Sequence, residues 1–381
     1  MTFVLHESIP VWGIPNTNAL AQLKNCLEHE RAVAGALMAD HHLGYIQPIG
    51  GIIAYEDAIS PTGVGYDIAC GNKAVRLDIS AEEIRNNISK ILKDITKNIS
   101  FGVGGTNKNA PEHDLFHDNT WKIKPLLKWK KLAANQLGTI GGGNHYVDLF
   151  VDNKNRIWLG VHFGSRGLGY QIATHYIKAA GGKPNDIYPV VLDINDNLAQ
   201  DYLAAMKLAG KYAYAGRNWV CNKITSMLGA NILEEIHNHH NYAWYEKHNH
   251  KHLWIVRKGA TPAHPQQKCF IGGSMGDISV IVKGLDSLES KKALHSTIHG
   301  AGRVISRTKA AGKYRSGKRI GGTISYNMMH KWMKDKNIHL EGGSPDESPH
   351  CYRRLEDVLE YHNSTIQVTD TLYPVGVVMS H

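Results

Sequence analysis

The residues equipped for chemistry lie in six short glycine-rich segments. Gly63-Val-Gly-Tyr-Asp67-Ile-Ala-Cys70-Gly71 sets a carboxylate and a thiol three residues apart in one turn. That pair is either the start of a transition-metal site or a buried cysteine in a tight turn. Gly141-Gly-Gly-Asn144-His145 and Val161-His162-Phe-Gly-Ser165-Arg166-Gly167 each bring one histidine to a loop. His237-Asn-His239-His240-Asn241 follows near the end of a helical pattern, and His237 and His240 share a face if that helix continues. Singly, each histidine reads as a hydrogen-bonded structural residue. Together, one Asp, one Cys and three His supply donors enough for a binuclear metal site that a shared thiolate could bridge, which the spacing alone does not prove. Ile271-Gly-Gly-Ser274-Met-Gly276 offers backbone N–H groups as a phosphate nest. Ser296-Thr-Ile-His299-Gly-Ala-Gly302-Arg303 offers an imidazole nucleophile beside groups that hold phosphate oxygens. Arg303, Arg307, Lys309, Lys313, Arg315, Lys318 and Arg319 follow with no acid between them, Tyr314 interleaved. Such a run is a solvated face or a polyanion track.

These segments must be positioned by regular elements. Three- and four-residue apolar spacing predicts helices over 17–37, 80–98, 120–137, 195–229 and 353–362. Short β-type runs separate them: Ile46 to Ala54, Lys73 to Leu77, Trp158 to His162, Leu253 to Val256, Val280 to Val282 and Val375 to Met379. The motifs sit at the ends of these runs along the whole chain. A site drawn from such distant segments argues against independent halves. The expectation is one integrated α+β domain over 1–381, with sheets flanked by helices and the site on glycine-rich loops.

Composition narrows the class further. The chain has 381 residues, 42% hydrophobic, enough for a core and too apolar for a disordered chain. Its 38 glycines and 23 histidines are the marked excesses, and the formal charge is +9. No apolar run approaches the roughly 18 residues of a spanning helix, and the start lacks the pattern of a signal peptide. Cys26, Cys70, Cys221, Cys269 and Cys351 are scattered without a CxxC, which implies no disulfide framework and fits a reducing cytoplasm.

Taken in order, the motifs resemble the RtcB family of RNA-splicing and RNA-repair ligases. The resemblance spans nearly the whole chain. It takes in Asp40-His-His42-Leu-Gly-Tyr-Ile-Gln-Pro-Ile-Gly-Gly51, the Asp67/Cys70 turn, GGGNH at 141–145 and HFGSRG at 162–167. It continues through His240-Asn241 with Glu246, RKGAT at 257–261, GGSMG at 272–276, HGAGR at 299–303 and a closing Pro374-Val-Gly-Val-Val. The resemblance implies an enzyme that joins a 3′-phosphate or 2′,3′-cyclic phosphate RNA end to a 5′-hydroxyl end, in RNA repair or tRNA splicing, with GTP and two Mn²⁺ ions. It assigns Asp67, Cys70 and His145 to one ion and Cys70, His162 and His240 to the other. The Mn²⁺ assignment leans on the family, since a thiolate and imidazole set by itself favours Zn²⁺. It makes His299 the nucleophile that forms histidine–GMP, with Asp40 fixing its tautomer. It implies a GMP pocket drawn from Asn144, His145, Tyr146, Val147, Asp148, His240, Asn241, Gly272, Gly273, Ser274, Met275, Ser279, His299, Gly300, Ala301 and Gly302, with Tyr352 packed on the base. Arg166 and Lys258 are its candidates for RNA phosphates.

Two positions depart from the family pattern. Asp148 stands where the family usually carries a Glu that reads the guanine edge, and Met379 where it usually carries a nucleotide-contacting Lys. With the short length, these mark a divergent, repair-type branch. Two further readings stand beside the ligase: a metal-dependent RNA phosphodiesterase or cyclic-phosphate hydrolase that has lost ligation, and an RNA-end binder without catalysis. An intact HGAGR argues against the binder, which has no need of a nucleophile.

Overall fold

The computed structural model describes residues 3–107, 109–183, 186–315 and 318–380, and the side chains of Tyr314, Arg315 and Lys318 lie outside the described set. Two sheets carry the fold. One has six strands in the order Phe3–His6, Ile9–Trp12, Ala32–His42, Ile49–Tyr55, Lys251–Lys258 and Asn241–His248. The other runs Ile232–His239, Gly71–Ser80, Arg156–His162, Tyr146–Asp152, Ile366–Met379, Ser279–Gly284 and Lys268–Ile271. His339–Glu341 adds to it, parallel to Ile366–Met379. This is the α+β architecture that the alternation of helical and β-type runs implies.

Helices cover the sheets with the apolar stripes their sequences carry. Ala81–Asn98 starts at a Ser80 cap, whose hydroxyl accepts from the Glu83 N–H. Its Ile84, Ile88, Leu92 and Ile95 recur at three- and four-residue steps and pack on Val75, Leu149 and Val161 of the larger sheet. Full burial of each contributes about 1.5–3 kcal/mol. Asn197–Met227 is the longest helix, and its two halves serve different cores. Tyr202, Met206 and Ala209 pack with Ile53 and Val256 of the six-stranded sheet, while Val220, Cys221 and Ile224 join the core on the larger one. One rigid element therefore ties the two sheets together.

Helices over 80–98, 120–137, 195–229 and 353–362 are present as Ala81–Asn98, Lys124–Gln136, Asn197–Met227 and Leu355–Glu360. Two expectations need correction. The helix expected over 17–37 stops at Leu27, and Ala32–His42 is instead a strand paired with Ile49–Tyr55. Its alanines suit a helix, but tertiary pairing overrides so weak a local preference. The long helix also ends before the 237–241 histidines. Gly229 turns left-handed at φ +66°, and Ile232–His239 pairs with Gly71–Ser80 as a strand. His237 and His240 therefore share no helix face. All five cysteines are buried and free. Among the described residues no helix is long and apolar enough to cross a membrane.

Candidate functional site

The site forms where neighbouring strands of the larger sheet end together. Asn72 pairs with His162, and His162 pairs with Tyr146 on its other side. Antiparallel pairing thus brings the start of Gly71–Ser80, the end of Arg156–His162 and the start of Tyr146–Asp152 to one edge. The Cys70 turn, His162 and His145 meet there. On the far flank His239 pairs with Gly71, and His240 follows as the link into the six-stranded sheet. The His240 N–H donates to the Cys70 carbonyl at 2.8 Å, and the Ala69 N–H to the Asn241 carbonyl at 2.7 Å.

Cys70 Sγ lies 3.7 Å from His145 Nε2 and 3.6 Å from His162 Nε2, all three side chains buried. Asp67 Oδ2 is 3.1 Å from His145 Nε2. The His240 ring stacks on His162 with centroids 5.1 Å apart, and its Nδ1 is buried without a partner. Asn72 Oδ1 sits 2.6 Å from His162 Nδ1. An amide oxygen only accepts, so Nδ1 carries the proton and the Nε2 lone pair faces the thiol. Burial holds both His162 and His240 far below the ordinary imidazole range, so both are neutral. Burial, reinforced by the Asp67 charge, pushes the Cys70 thiol well above its usual value. Burial works to raise Asp67 as well, but hydrogen bonding and charge from His145 outweigh it and bring the carboxyl to about 2. Two neutral imidazoles, a carboxylate and a thiol that a cation would deprotonate form a donor set suited to divalent metal.

The backbone explains the glycines. A Cβ on Gly164 would stand 2.1 Å from Asp67 Oδ1, and one on Gly141 would stand 2.1 Å from His145 Nδ1. Ala69 and Arg166 flank the cluster in left-handed conformations, φ +60° and +57°. Such conformations persist only where neighbours over-determine them. Arg217 does much of this. Fully buried, it donates to the Ala69 carbonyl at 3.1 Å, to the Phe163 carbonyl at 2.5 Å, to His237 Nε2 at 2.7 Å, and lies 2.9 Å from His239 Nδ1. One guanidinium thus pins the segments bearing Cys70, His162 and His240.

From the side of the six-stranded sheet comes a second pair. Asp40, fully buried in Ala32–His42, places Oδ2 2.5 Å from His299 Nδ1. The same oxygen accepts from the backbone N–H groups of His299 and Gly300. Burial works to raise Asp40, but the adjacent His299 outweighs it and holds the carboxyl below its usual range. The His299 ring meets His240 edge-on at 5.0 Å, so nucleophile candidate and metal-ligand candidates share one space.

Asn144, Tyr146, His162, Gly272 to Met275, His299 to Gly302 and Tyr352 line one pocket, with Met379 in its wall. His145, His240 and Asn241 line an adjoining cleft of about 710 Å³, which also reaches Asp67, Cys70 and His299. Val147, Asp148 and Ser279 line neither space, and Val147 belongs to the core on the larger sheet. Ser279 accepts from the Gly273 N–H and so braces the glycine loop. Asp148 is buried with Oδ1 unpartnered, and burial pushes its carboxyl well up. Lys258 lies under the cleft, its ammonium donating to the Tyr45 and Thr62 carbonyls, and burial lowers it to about 8. Arg166 donates to the Gly102 carbonyl and to Thr139.

The sequence reading missed Asn72, Arg217 and Glu347. Asn72 follows directly after Cys70-Gly71. Arg217 falls on the buried stripe between Ala213 and Val220, where a charge is out of place. Glu347 accepts from the Tyr352 hydroxyl and pairs with Arg303 and Arg307, at 3.1 and 2.9 Å. Arg319 approaches Asp346 at 3.9 Å. Part of the basic run is therefore met by two distant acids.

The model of the family described as tRNA-splicing ligase RtcB matches residues 22–131 and 118–380. The chain belongs to the RtcB family. It is similar to the RNA-splicing ligase RtcB of Escherichia coli (strain K12), 29% identical over 89% of this chain and 88% of the relative. It is also similar to the tRNA-splicing ligase RtcB of Archaeoglobus fulgidus, 30% identical over 91% and 87%. The tRNA-splicing ligase RtcB of Aeropyrum pernix is 28% identical over 90% and 87%.

Proposed function

We propose that the chain, acting as one domain over 1–381, is an RNA ligase in RNA repair or tRNA splicing. It joins 3′-phosphate or 2′,3′-cyclic phosphate ends to 5′-hydroxyl ends through histidine–GMP, with GTP as donor. The observation that carries this reading is the Asp40–His299 pair, 2.5 Å apart, opening onto the space that Cys70, His145 and His240 also line. An imidazole whose Nδ1 proton is held by a buried carboxylate presents Nε2 as a nucleophile.

In this reading Asp40 keeps the proton on Nδ1 while Nε2 attacks the α-phosphorus of GTP. The bond to the bridging oxygen of the β-phosphate breaks, and pyrophosphate leaves. The RNA 3′-phosphate then displaces His299 from the GMP phosphorus. The 5′-hydroxyl oxygen attacks the activated 3′-phosphorus, loses its proton, and GMP departs. A cyclic phosphate is first opened by water to the 3′-phosphate. Asp67, Cys70 and His145 would hold one Mn²⁺ and Cys70, His162 and His240 the other, and such ions neutralise phosphate charge and favour the leaving group. With the Gly273 N–H held by Ser279 and those of His299 and Gly300 by Asp40, the N–H groups of Ser274, Met275, Ala301 and Gly302 serve phosphate oxygens, and Tyr352 packs on the base. The inner pocket measures about 90 Å³. It shares His299, Arg303 and Arg307 with the larger cleft beside it, so the two form one continuous space at the nucleophile. Arg166 and Lys258 lend positive potential to the cleft that RNA enters. Five free cysteines suit a reducing cytoplasm.

Incubation with α-labelled GTP and Mn²⁺ tests the reading. The wild-type chain should retain covalent label, and His299→Ala should lose it while still binding metal. A chain that opens cyclic phosphates yet never takes label is the hydrolase instead, and label mapping to a lysine removes His299 from the role.

A further inference from the structure

Three tyrosines line up beside the cleft, the outer two in water and the middle one, Tyr66, half-buried against the core. Tyr45 is 76% exposed and Tyr170 is 55% exposed. Tyr66 stands between them, its ring 6.1 Å from that of Tyr45 and 5.6 Å from that of Tyr170. Each comes from a segment anchored to the site. The Tyr45 carbonyl accepts from the buried Lys258 ammonium at 2.5 Å. Tyr66 immediately precedes Asp67, and Tyr170 is one turn into the helix that begins at Arg166. Tyr45 and Tyr66 line the cleft that also holds Cys70, His240 and His299.

Aromatic rings bury large apolar area when they can, so two left in water beside polar chemistry mark a surface that something covers. The cover must offer flat apolar faces while the cleft takes its charged end. Unpaired nucleobases do this: they stack on aromatic side chains while their phosphates lie in polar ground. Paired bases do not, since a duplex hides their faces. A protein partner would bring its own apolar side chains, but it has no phosphate to place at His299.

We propose that Tyr45, Tyr66 and Tyr170 form a stacking subsite for unpaired bases next to the RNA break, so that the chain selects ends in single-stranded loops or overhangs over ends in duplex. This rests on the ligase reading above and adds the conformation of its substrate.

The test uses the full chain as wild type, as Y45A/Y170A and as Y45F/Y170F. Fluorescence anisotropy measures binding of a short RNA whose 3′-phosphate end is unpaired, and of the same RNA with abasic ribose in its last two positions. The alanine pair should bind the intact RNA about a hundredfold more weakly, roughly tenfold for each stack lost. The phenylalanine pair should bind like wild type. Abasic RNA should bind wild type and the alanine pair equally weakly. Histidine labelling by GTP should persist in the alanine pair, since neither ring lines the inner pocket. Equal affinity of wild type and the alanine pair for intact RNA overturns the subsite and leaves the ligase reading standing if GTP still labels the chain. Wild type that binds no RNA and takes no label overturns both. If the alanine pair loses its label through misfolding, wild type alone decides: abasic RNA bound as tightly as intact RNA overturns the subsite.

Discussion

Among the described residues, Glu246 and Cys70 each stand among several imidazoles, and of these two clusters the one at Cys70 is open to chemistry. Around Glu246, Arg257 donates with both terminal nitrogens, at 2.7 and 2.9 Å. His248 Nε2 lies 2.9 Å from the same carboxylate and His264 Nε2 3.4 Å. Arg257 is itself completed by Ser296, the Leu294 carbonyl and the Trp244 ring. Burial works to raise Glu246, but Arg257 and the two imidazoles drive its pKa far down. Charge meets charge inside the cluster. Around Cys70 the reverse holds. Among the described residues no cation pairs with the thiol, His162 is held neutral with a lone pair aimed inward, and the buried His240 Nδ1 has no partner. Neither histidine density nor one unpartnered nitrogen separates a site from a scaffold, since His295 Nδ1 beside the Glu246 cluster is also buried without a partner; a carboxylate already taken by Arg257 does.

The largest test of that contrast is Cys70→Ala. RNA joining should be abolished, and metal retained after Mn²⁺ loading should fall at both positions, as read by elemental analysis, because the proposed site shares one thiolate. Loss of one equivalent with the other fully kept would contradict the bridge.

The matching change in the closed cluster is Glu246→Gln. Metal uptake should stay as in wild type, while stability in denaturant falls by about 3 kcal/mol, the cost of leaving buried Arg257 without its carboxylate. The pH dependence sharpens this. A carboxylate whose folded pKa is depressed adds stability that is full above its unfolded pKa, about 4.3, and is lost as pH falls through and below it. The groups facing Glu246 are Arg257, His248 and His264, with His295 ring-to-ring against both histidines. Melting should therefore drop more steeply with acid in wild type than in Glu246→Gln below about pH 5. Parallel curves would show that Glu246 adds no charge stabilisation.

How much of this the sequence discloses depends on whether a residue's purpose is local. The Asp67/Cys70 turn, GGGNH, HFGSRG and HGAGR are legible because a close approach demands glycine within a few positions of the working side chain. The amphipathic Ala81–Asn98 helix is legible from its own period. The strand nature of Ala32–His42 is not, since its alanines favour a helix and only pairing with Ile49–Tyr55 decides. Arg217 is half legible: its place on an apolar stripe marks it as buried, but its partners lie up to 148 residues away. The closed Glu246 cluster is the least legible, because His248, His264 and His295 look as eligible in sequence as His145 until Arg257 is seen to occupy the carboxylate.

Met379 supplies the smallest test. It lies opposite Tyr146 on the last strand, buried, in the wall of the pocket that His299 and Gly272 to Met275 line. There it packs with Tyr146, Met275 and Met333 and offers a nucleotide only apolar contact. The Asp40–His299 pair and the Cys70 cluster do not depend on it, so histidine labelling should proceed in the natural chain. An ammonium at this position would add a charge-assisted hydrogen bond to the nucleotide, about 1.5 kcal/mol at the lower end. Met379→Lys should then lower the GTP concentration for half-maximal labelling by about tenfold. It should leave metal uptake unchanged, because the gain comes from the pocket rather than from the metal centre. A requirement that does not move would show that a basic residue already in the pocket wall, Arg303 or Arg307, meets the phosphates in its stead.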